Sequence, residues 1–424
     1  MISLNPSRIL LIATVLVIHC AAAVARSPFD AEPIRYSSAS PDNAVSRLQK
    51  RLTDGKFDLQ FDDRYGYLPA VLKALDIPIS SQVLVFSKTS LQRVHISPKT
   101  PRTIYFNDET YLGWMPDGDV LEITSVDPKL GSVFYTIAQD EEEGPIIERR
   151  TESCMVCHST FQGQRIPSHL VRSVAVDNQG HLLSGGQSFF TTHKSPFEER
   201  WGGWYVTGTH GKQQHLGNVT VKEGKKKLDL GAGANRTSLA SKFDTSRYLS
   251  SHSDLVALML LEHQTFTHNL ITSTLYETRR ALHDAGKVAD DAVSMDKLEA
   301  VTQLRIKRSA DVLVQALLFV DEAPLTSRVT GTTTFAKDFL KRGARDNLEK
   351  SFRTFDLEER MFRFPLSYLI RSDAIKGLPL AARSHINERI EDVLSARDSK
   401  DRFGGKAAKY RKAIRRFLIE SPPE

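Results

Sequence analysis

The stretch RTIYFNDETYLGWMPDGDVLEITSVDPKLGSVFYTIAQ, Arg102 to Gln139, decides the fold class. Its β-branched and aromatic residues recur with a period of two. The turn formers PDGD (116–119) and PKLG (128–131) divide it into short runs. That pattern predicts consecutive antiparallel strands. The run before it, QVLVFSKTSLQRVHIS (82–97), reads the same way up to the turn PKTP (98–101). Further upstream the period changes to that of a helix. PDNAVSRLQKRLTDG (41–55) reads as a helix capped by Asp42 or Asn43 and ended by Gly55, and GYLPAVLKALDIP (66–78) as a shorter one stopped before Pro78. Residues 26–148 are therefore expected to form an α+β region: helices followed by a small antiparallel sheet, closed by the acidic loop DEEEGP (140–145).

Downstream the character changes twice. Residues 149–250 are rich in glycine, histidine and aromatics, as in TTHKSPFEERWGGWYVTGTHGKQQHLGN (191–218), and poor in long periodic segments. Loop-rich sequence full of ligand-capable side chains is common where a cofactor organises the fold. Residues 251–424 read as helical. SDLVALMLLEHQTFTHNLITSTLYETRRALHDAG (253–286) forms one long helix capped by Ser253 or Asp254 and ended by Gly286, and DKLEAVTQLRIKRSADVLVQALLF (296–319) forms another. The whole is an α+β chain with a loop-rich middle and a helical C-terminal region.

At 424 residues, 40% hydrophobic and 25% charged, the composition is that of an ordinary globular protein. The beginning is different. MISLNPSR is followed by an apolar run of ten, ILLIATVLVI (9–18), and by small residues at Ala23 and Ala25. Ten helical residues cover only about 15 Å, too short to span a bilayer. Residues 1–25 therefore read as a secretory signal peptide cut near Ala25, with a retained anchor as the alternative. Cys20 would suit a lipid anchor, but His19 stands where such a site needs a small residue. No second apolar run is long enough to span, so the expected location is periplasmic with no retained membrane span. Cutting there removes one of 57 basic residues and leaves 51 acidic ones; that surplus is too small for a nucleic-acid footprint. Part of it lies in KAAKYRKAIRRFLIE (406–420), a basic helix that reads either as a solvated face or as a surface for an acidic partner or membrane.

Of three cysteines, Cys20 leaves with the leader, and Cys154 and Cys157 stand together in TESCMVCHST (151–160). Two thiols three apart with His158 following at once could be a covalent haem clamp, half of a zinc site or a thiol redox pair. Zinc needs about four ligands, and the sequence offers no second cysteine pair. A redox pair wants a buried strand before it and a helix after it. Here charged GPIIERRTES precedes, and Gly163 and Pro167 interrupt the downstream segment. Haem uses every element: both thiols can add across the two vinyl groups of one haem, placing the imidazole beneath the iron.

CMVCH resembles the c-type cytochrome signature. The resemblance implies one covalent haem c, with Cys154 and Cys157 as thioether sites and His158 as the proximal iron ligand. In the phrases SSQVLVFSKTSLQ, IYFND and RWGGWYVTG the chain also looks similar to large exported bacterial cytochrome c domain-containing proteins, which carries no established activity with it. It departs from small cytochromes c in having no recognisable loop with a distal methionine.

The sixth ligand is therefore open. His193, in the turn TTHKSPF, is the first candidate, followed by His215, His210 and His169; Met259 and Met115 read as core and turn residues. At 100° per residue His263 and His268 lie roughly 140° apart on their helix and cannot serve one metal. Glu262 shares a helix face with Leu255, Met259 and Phe266, and so is expected to be buried, either in an ion pair with an arginine or tuned for proton transfer. Arg172 and Arg200 are candidate partners for haem propionates. The expected function is one-electron transfer with a redox partner protein. A haem-dependent oxidoreductase or peroxidase with an open sixth site is the alternative, and a haem-bearing binding or sensor protein the third reading.

Overall fold

The computed structural model describes residues 27–159, 165–221, 229–287, 291–343, 351–397 and 409–420, so the expected leader lies outside the described residues. The fold is mixed α+β, with a helical C-terminal region. Two helices come first, α1 (Ala44–Thr53) and α2 (Leu68–Ala74). Asn43, not Asp42, caps α1: its side chain accepts from the amides of Val45 and Ser46, while the Ser46 hydroxyl accepts from the Asn43 amide.

Six strands follow: β1 (Val83–Val85), β2 (Arg102–Phe106), β3 (Thr110–Trp114), β4 (Val120–Asp127), β5 (Gly131–Ala138) and β6 (Ile147–Arg149). They form an antiparallel meander in chain order. The expected strand over 82–97 is realised only as β1. Beyond Val85 the amides of Phe86 and Ser87 both turn to the carbonyl of Gly203, which takes the chain out of the ladder. Gly203 has a φ of 82°, where a side chain would be strained and would meet Ser87.

The middle of the chain adds a short helical turn, α3 (Met155–His158), the ribbon β7 (Arg172–Val174) with β8 (Ser188–Phe190), and β9 (Trp204–Tyr205). β9 pairs with β1 and completes a seven-stranded sheet, β6-β5-β4-β3-β2-β1-β9. β10 (Gly208–Thr209) pairs with β11 (Thr330–Gly331). The C-terminal region is built on α4 (Leu255–Asp284), with α5 (Ala300–Leu317), α6 (Phe335–Lys341), α7 (Asp373–Lys376), α8 (Leu380–Leu394) and α9 (Arg411–Glu420). Asp254 is the N-cap of α4.

β3 is buried along its whole length and β5 nearly so. The sheet is covered on both sides. Tyr135 bonds the Asn43 cap of α1 on one side, and α4 lies against β5 and β3 on the other. Gly131, φ 72°, permits that approach, because a side chain there would run into Thr272 of α4. The pairings Tyr111↔Thr124 and Thr124↔Phe134 align these three residues in one cross-strand row facing α4. Residues of all three sequence regions, from Phe29 through Trp201 to Phe417, join one continuous buried cluster. On α9, Ile414 and Phe417 dock inward, with Phe417 against Phe364 at 4.9 Å. No helix among the described residues is long and apolar enough to cross a membrane.

Candidate functional site

The chain leaves β6 at Arg149 and folds at once into α3. Cys154 is the residue before its first turn, and the amides of Cys157 and His158 both donate to the Cys154 carbonyl, at 3.2 and 3.0 Å. Both cysteines are thiols rather than halves of a disulfide, Cys154 half-buried and Cys157 exposed. Residues three and four apart in a helix share a face, so Cys154, Cys157 and His158 present their side chains together. Met155, in the same turn, is buried.

His158 is fixed from behind. Its Nδ1 lies 2.8 Å from the carbonyl of Ser168, while the Ser168 amide and hydroxyl each donate back to the His158 carbonyl at 2.8 Å. Its ring packs on Phe134 of β5 at 4.7 Å. A carbonyl only accepts, so Nδ1 carries the proton and Nε2 carries the lone pair. Burial lowers the His158 pKa and favours the neutral imidazole. A neutral ring held through Nδ1, with Nε2 left to coordinate, is how metal-ligating histidines are generally oriented. Burial also pushes the Cys154 thiol up, the reverse of what a reactive thiol pair requires. Among the described residues, no three His, Cys, Asp or Glu side chains gather closely enough to hold a metal ion, so a zinc centre has no ligand set there.

The other expected site residues are dispersed. His193 does follow β8 in a turn, but it is fully buried, with Nδ1 3.1 Å from Nδ1 of His263 and its ring against Phe319 and Phe266. The described contacts of its ring are with α4 and Phe319, whereas those of the His158 ring are with Phe134 and Ser168. His169 is nearer to His158 through Phe134, and its Nδ1 is 3.0 Å from the Ser132 hydroxyl. His210 and His215 support loops: Nε2 of His210 accepts from the Asn235 amide and Nδ1 of His215 from the Gly217 amide. Met115 and Met259 are buried core residues.

Arg200 is not available to a propionate. It is 2% exposed and donates to Glu262 at 3.1 Å and to the carbonyls of Ser195 and His193. This is the buried ion pair expected for Glu262. Burial outweighs Arg200 and raises the Glu262 carboxyl to about 7. Arg172 instead lies on the β7–β8 ribbon, bonded to the Ser188 hydroxyl at 2.9 Å and 5.4 Å from the exposed Phe190 ring.

Sequence reasoning missed a buried polar band along α4. His268 Nδ1 meets the Tyr111 hydroxyl at 2.8 Å, and Gln264 donates to the same hydroxyl at 2.9 Å. Asn269 brackets the backbone of His169 with two bonds of 2.8 Å, and His263 Nε2 meets the Ser367 hydroxyl at 2.8 Å. A signal existed: HQTFTHNLITST (263–274) is polar on every face without a single Asp, Glu, Lys or Arg. A surface helix normally carries charges on its outer face. Comparison with protein-family models, with curated proteins and with solved structures found no match.

Proposed function

We propose that this chain is an exported monohaem c-type cytochrome, with one covalently attached haem c, that passes single electrons to a redox partner protein. The observation that carries the reading is the α3 turn, which offers two thiols and an imidazole on one face with Nε2 left as the lone-pair nitrogen. Cys154 and Cys157 would hold the haem through thioether sulfurs and His158 through Nε2. When bound, the haem supplies an iron that alternates between two oxidation states. The protein's own part is positional. Met155 anchors the turn in the core, Ser168 sets the imidazole's tautomer and angle, and Phe134 backs the ring.

The test is expression with export and cytochrome c maturation, followed by haem detection after full denaturation. Wild type is expected to retain haem through denaturation, Cys154→Ser and Cys157→Ser to show the changed absorption of a single thioether, and the double variant to lose the haem. Wild type without covalent haem would sink the proposal. Spectra in both oxidation states, with and without carbon monoxide or peroxide, then decide the mode of action. Indifference to these ligands fits a carrier. A high-spin spectrum that responds to them would favour the haem-dependent oxidoreductase reading.

A further inference from the structure

Tyr111 differs from the other buried tyrosines in what its hydroxyl faces. Among the described residues the others donate to amide carbonyls, Tyr36 to Ser132, Tyr276 to Leu130 and Tyr368 to Gln264 among them. An amide carbonyl cannot take a proton near neutral pH. The Tyr111 hydroxyl faces Nδ1 of His268 at 2.8 Å, and the direction of that bond can be worked out. The Gln264 amide nitrogen can only donate, and it already donates to the Tyr111 oxygen. A buried phenol needs an acceptor for its hydrogen, and of these two groups only Nδ1 of His268 can be one, so the hydrogen goes to a neutral His268 with its lone pair on Nδ1, whose Nε2 has no partner among the described residues. Burial makes both neutral forms the resting ones: it raises the tyrosine well above its usual range and lowers His268 to about 4.

We propose that Tyr111 and His268 form an oxidisable couple in which the tyrosine gives up one electron and one proton together. The electron passes to a strong one-electron oxidant, of the class produced by peroxide at a haem or by light in a ruthenium polypyridyl complex. The O–H bond of Tyr111 breaks, an N–H bond forms at Nδ1 of His268, and the products are a neutral phenoxyl radical and an imidazolium. Return of one electron reverses both changes. Oxidation turns the phenol from a weak acid into a very strong one, so even a weakly basic buried imidazole takes the proton. A tyrosine bonded to a carbonyl has no such exit and would have to form a buried radical cation, which the low-polarity interior disfavours. The couple is also joined to the cysteine–histidine turn by successive ring contacts. The His158 ring is 4.7 Å from Phe134, Phe134 is 6.4 Å from His169, and His169 is 4.3 Å from Tyr111. Delivery of the electron toward His158 rests on the proposed haem; the couple itself does not.

The test is flash oxidation of the full-length protein by a photogenerated ruthenium(III) tris-bipyridyl complex, read by freeze-quench electron paramagnetic resonance. A neutral tyrosyl radical is expected, its spectrum altered by ring-deuterated tyrosine and carrying a nitrogen coupling that changes with ¹⁵N-histidine. Tyr111→Phe is expected to lose the signal, and His268→Gln the nitrogen coupling. An undiminished radical in folded Tyr111→Phe, or a wild-type radical blind to ¹⁵N-histidine, would overturn the proposal. The labelled wild type needs no substitution, so a misfolded variant cannot obscure the answer. Because the oxidant is external, the outcome can be read in protein with or without haem and separately from the haem assay.

Discussion

Glu262 and Arg200 show how much one buried residue can decide. Their contact, at 3.1 Å with both side chains almost wholly shielded, leaves neither charge access to solvent. Truncating one partner of such a pair leaves the other charge uncompensated, so Glu262→Ala is expected to cost about 3–5 kcal/mol of unfolding free energy in urea titrations. Glu262→Gln keeps the shape and tests the charge. The folded-state pKa of Glu262 is raised, from 4.5 to about 7, so its contribution is fully present below pH about 4.5 and is lost as pH rises through about 7. The difference in stability between wild type and Glu262→Gln is therefore expected to move against wild type as pH rises across that window. A difference constant from pH 5 to 8 would contradict this. The sequence placed Glu262 on an apolar helix face, and so its burial and need for a cation could be anticipated. Arg200 could not be identified as that cation from 62 residues away, which is why it also passed for a propionate partner.

At the scale of elements, α4 organises the molecule, and its start is held by a single carboxylate. Asp254 accepts from the amides of Val256 and Ala257 in the helix and from the amides of Thr332 and Thr333 beside β11, at 2.8–3.2 Å. It is both an N-cap and the tie between α4 and the β10–β11 pair. Ordinary cap removal costs about 0.5–2 kcal/mol; here it would also orphan buried donors outside the helix. Asp254→Ala is expected to lower stability by about 2 kcal/mol or more, with Asp254→Asn recovering part of it, as read from denaturation midpoints. Helix ends of this kind were legible because caps are local chemistry: Asn43, Asp254 and Gly286 lie where the residue types put them. The strand run over 82–97 was over-read, since its apolar alternation is real but the backbone partner after Val85 is Gly203, far along the chain. The cysteine–histidine turn was the most legible element of all, its three residues lying within one helical turn.

The whole molecule stores a strong sensitivity to acid. Burial lowers the pKa of His169, His193, His215, His263 and His268, the last three to about 3–4. These groups are neutral when folded and able to protonate when unfolded. Their contribution to stability is therefore present above pH about 6.5 and is lost as pH falls from there toward 4. A tenfold loss of proton affinity on folding corresponds to about 1.4 kcal/mol per group. Glu262 works in the opposite sense over part of the same range, as do Glu109, Asp127 and Glu322, whose carboxyls burial also raises, but these are four groups against seven histidines once His158 and His210, lowered by burial as well, are included. Net acid unfolding is expected, with several protons taken up as the fold opens, measurable by circular dichroism alongside potentiometric titration. Stability unchanged between pH 7 and 4 would refute it.

Residue order alone determined the mixed α+β class, the turn chemistry between strands and the spacing of Cys154, Cys157 and His158, and narrowed the caps of α1 and α4 to two neighbouring residues each, because each depends on neighbours within a few positions. Only the tertiary structure decided which histidines are buried, that Arg200 answers Glu262, that Tyr111 meets His268 across 157 positions, and that β9 returns to extend the first region's sheet. These are contacts between chemically compatible groups that have many possible partners in a chain of this length. The choice among them comes from packing the sheet against α4 so that polar groups taken inside meet one another.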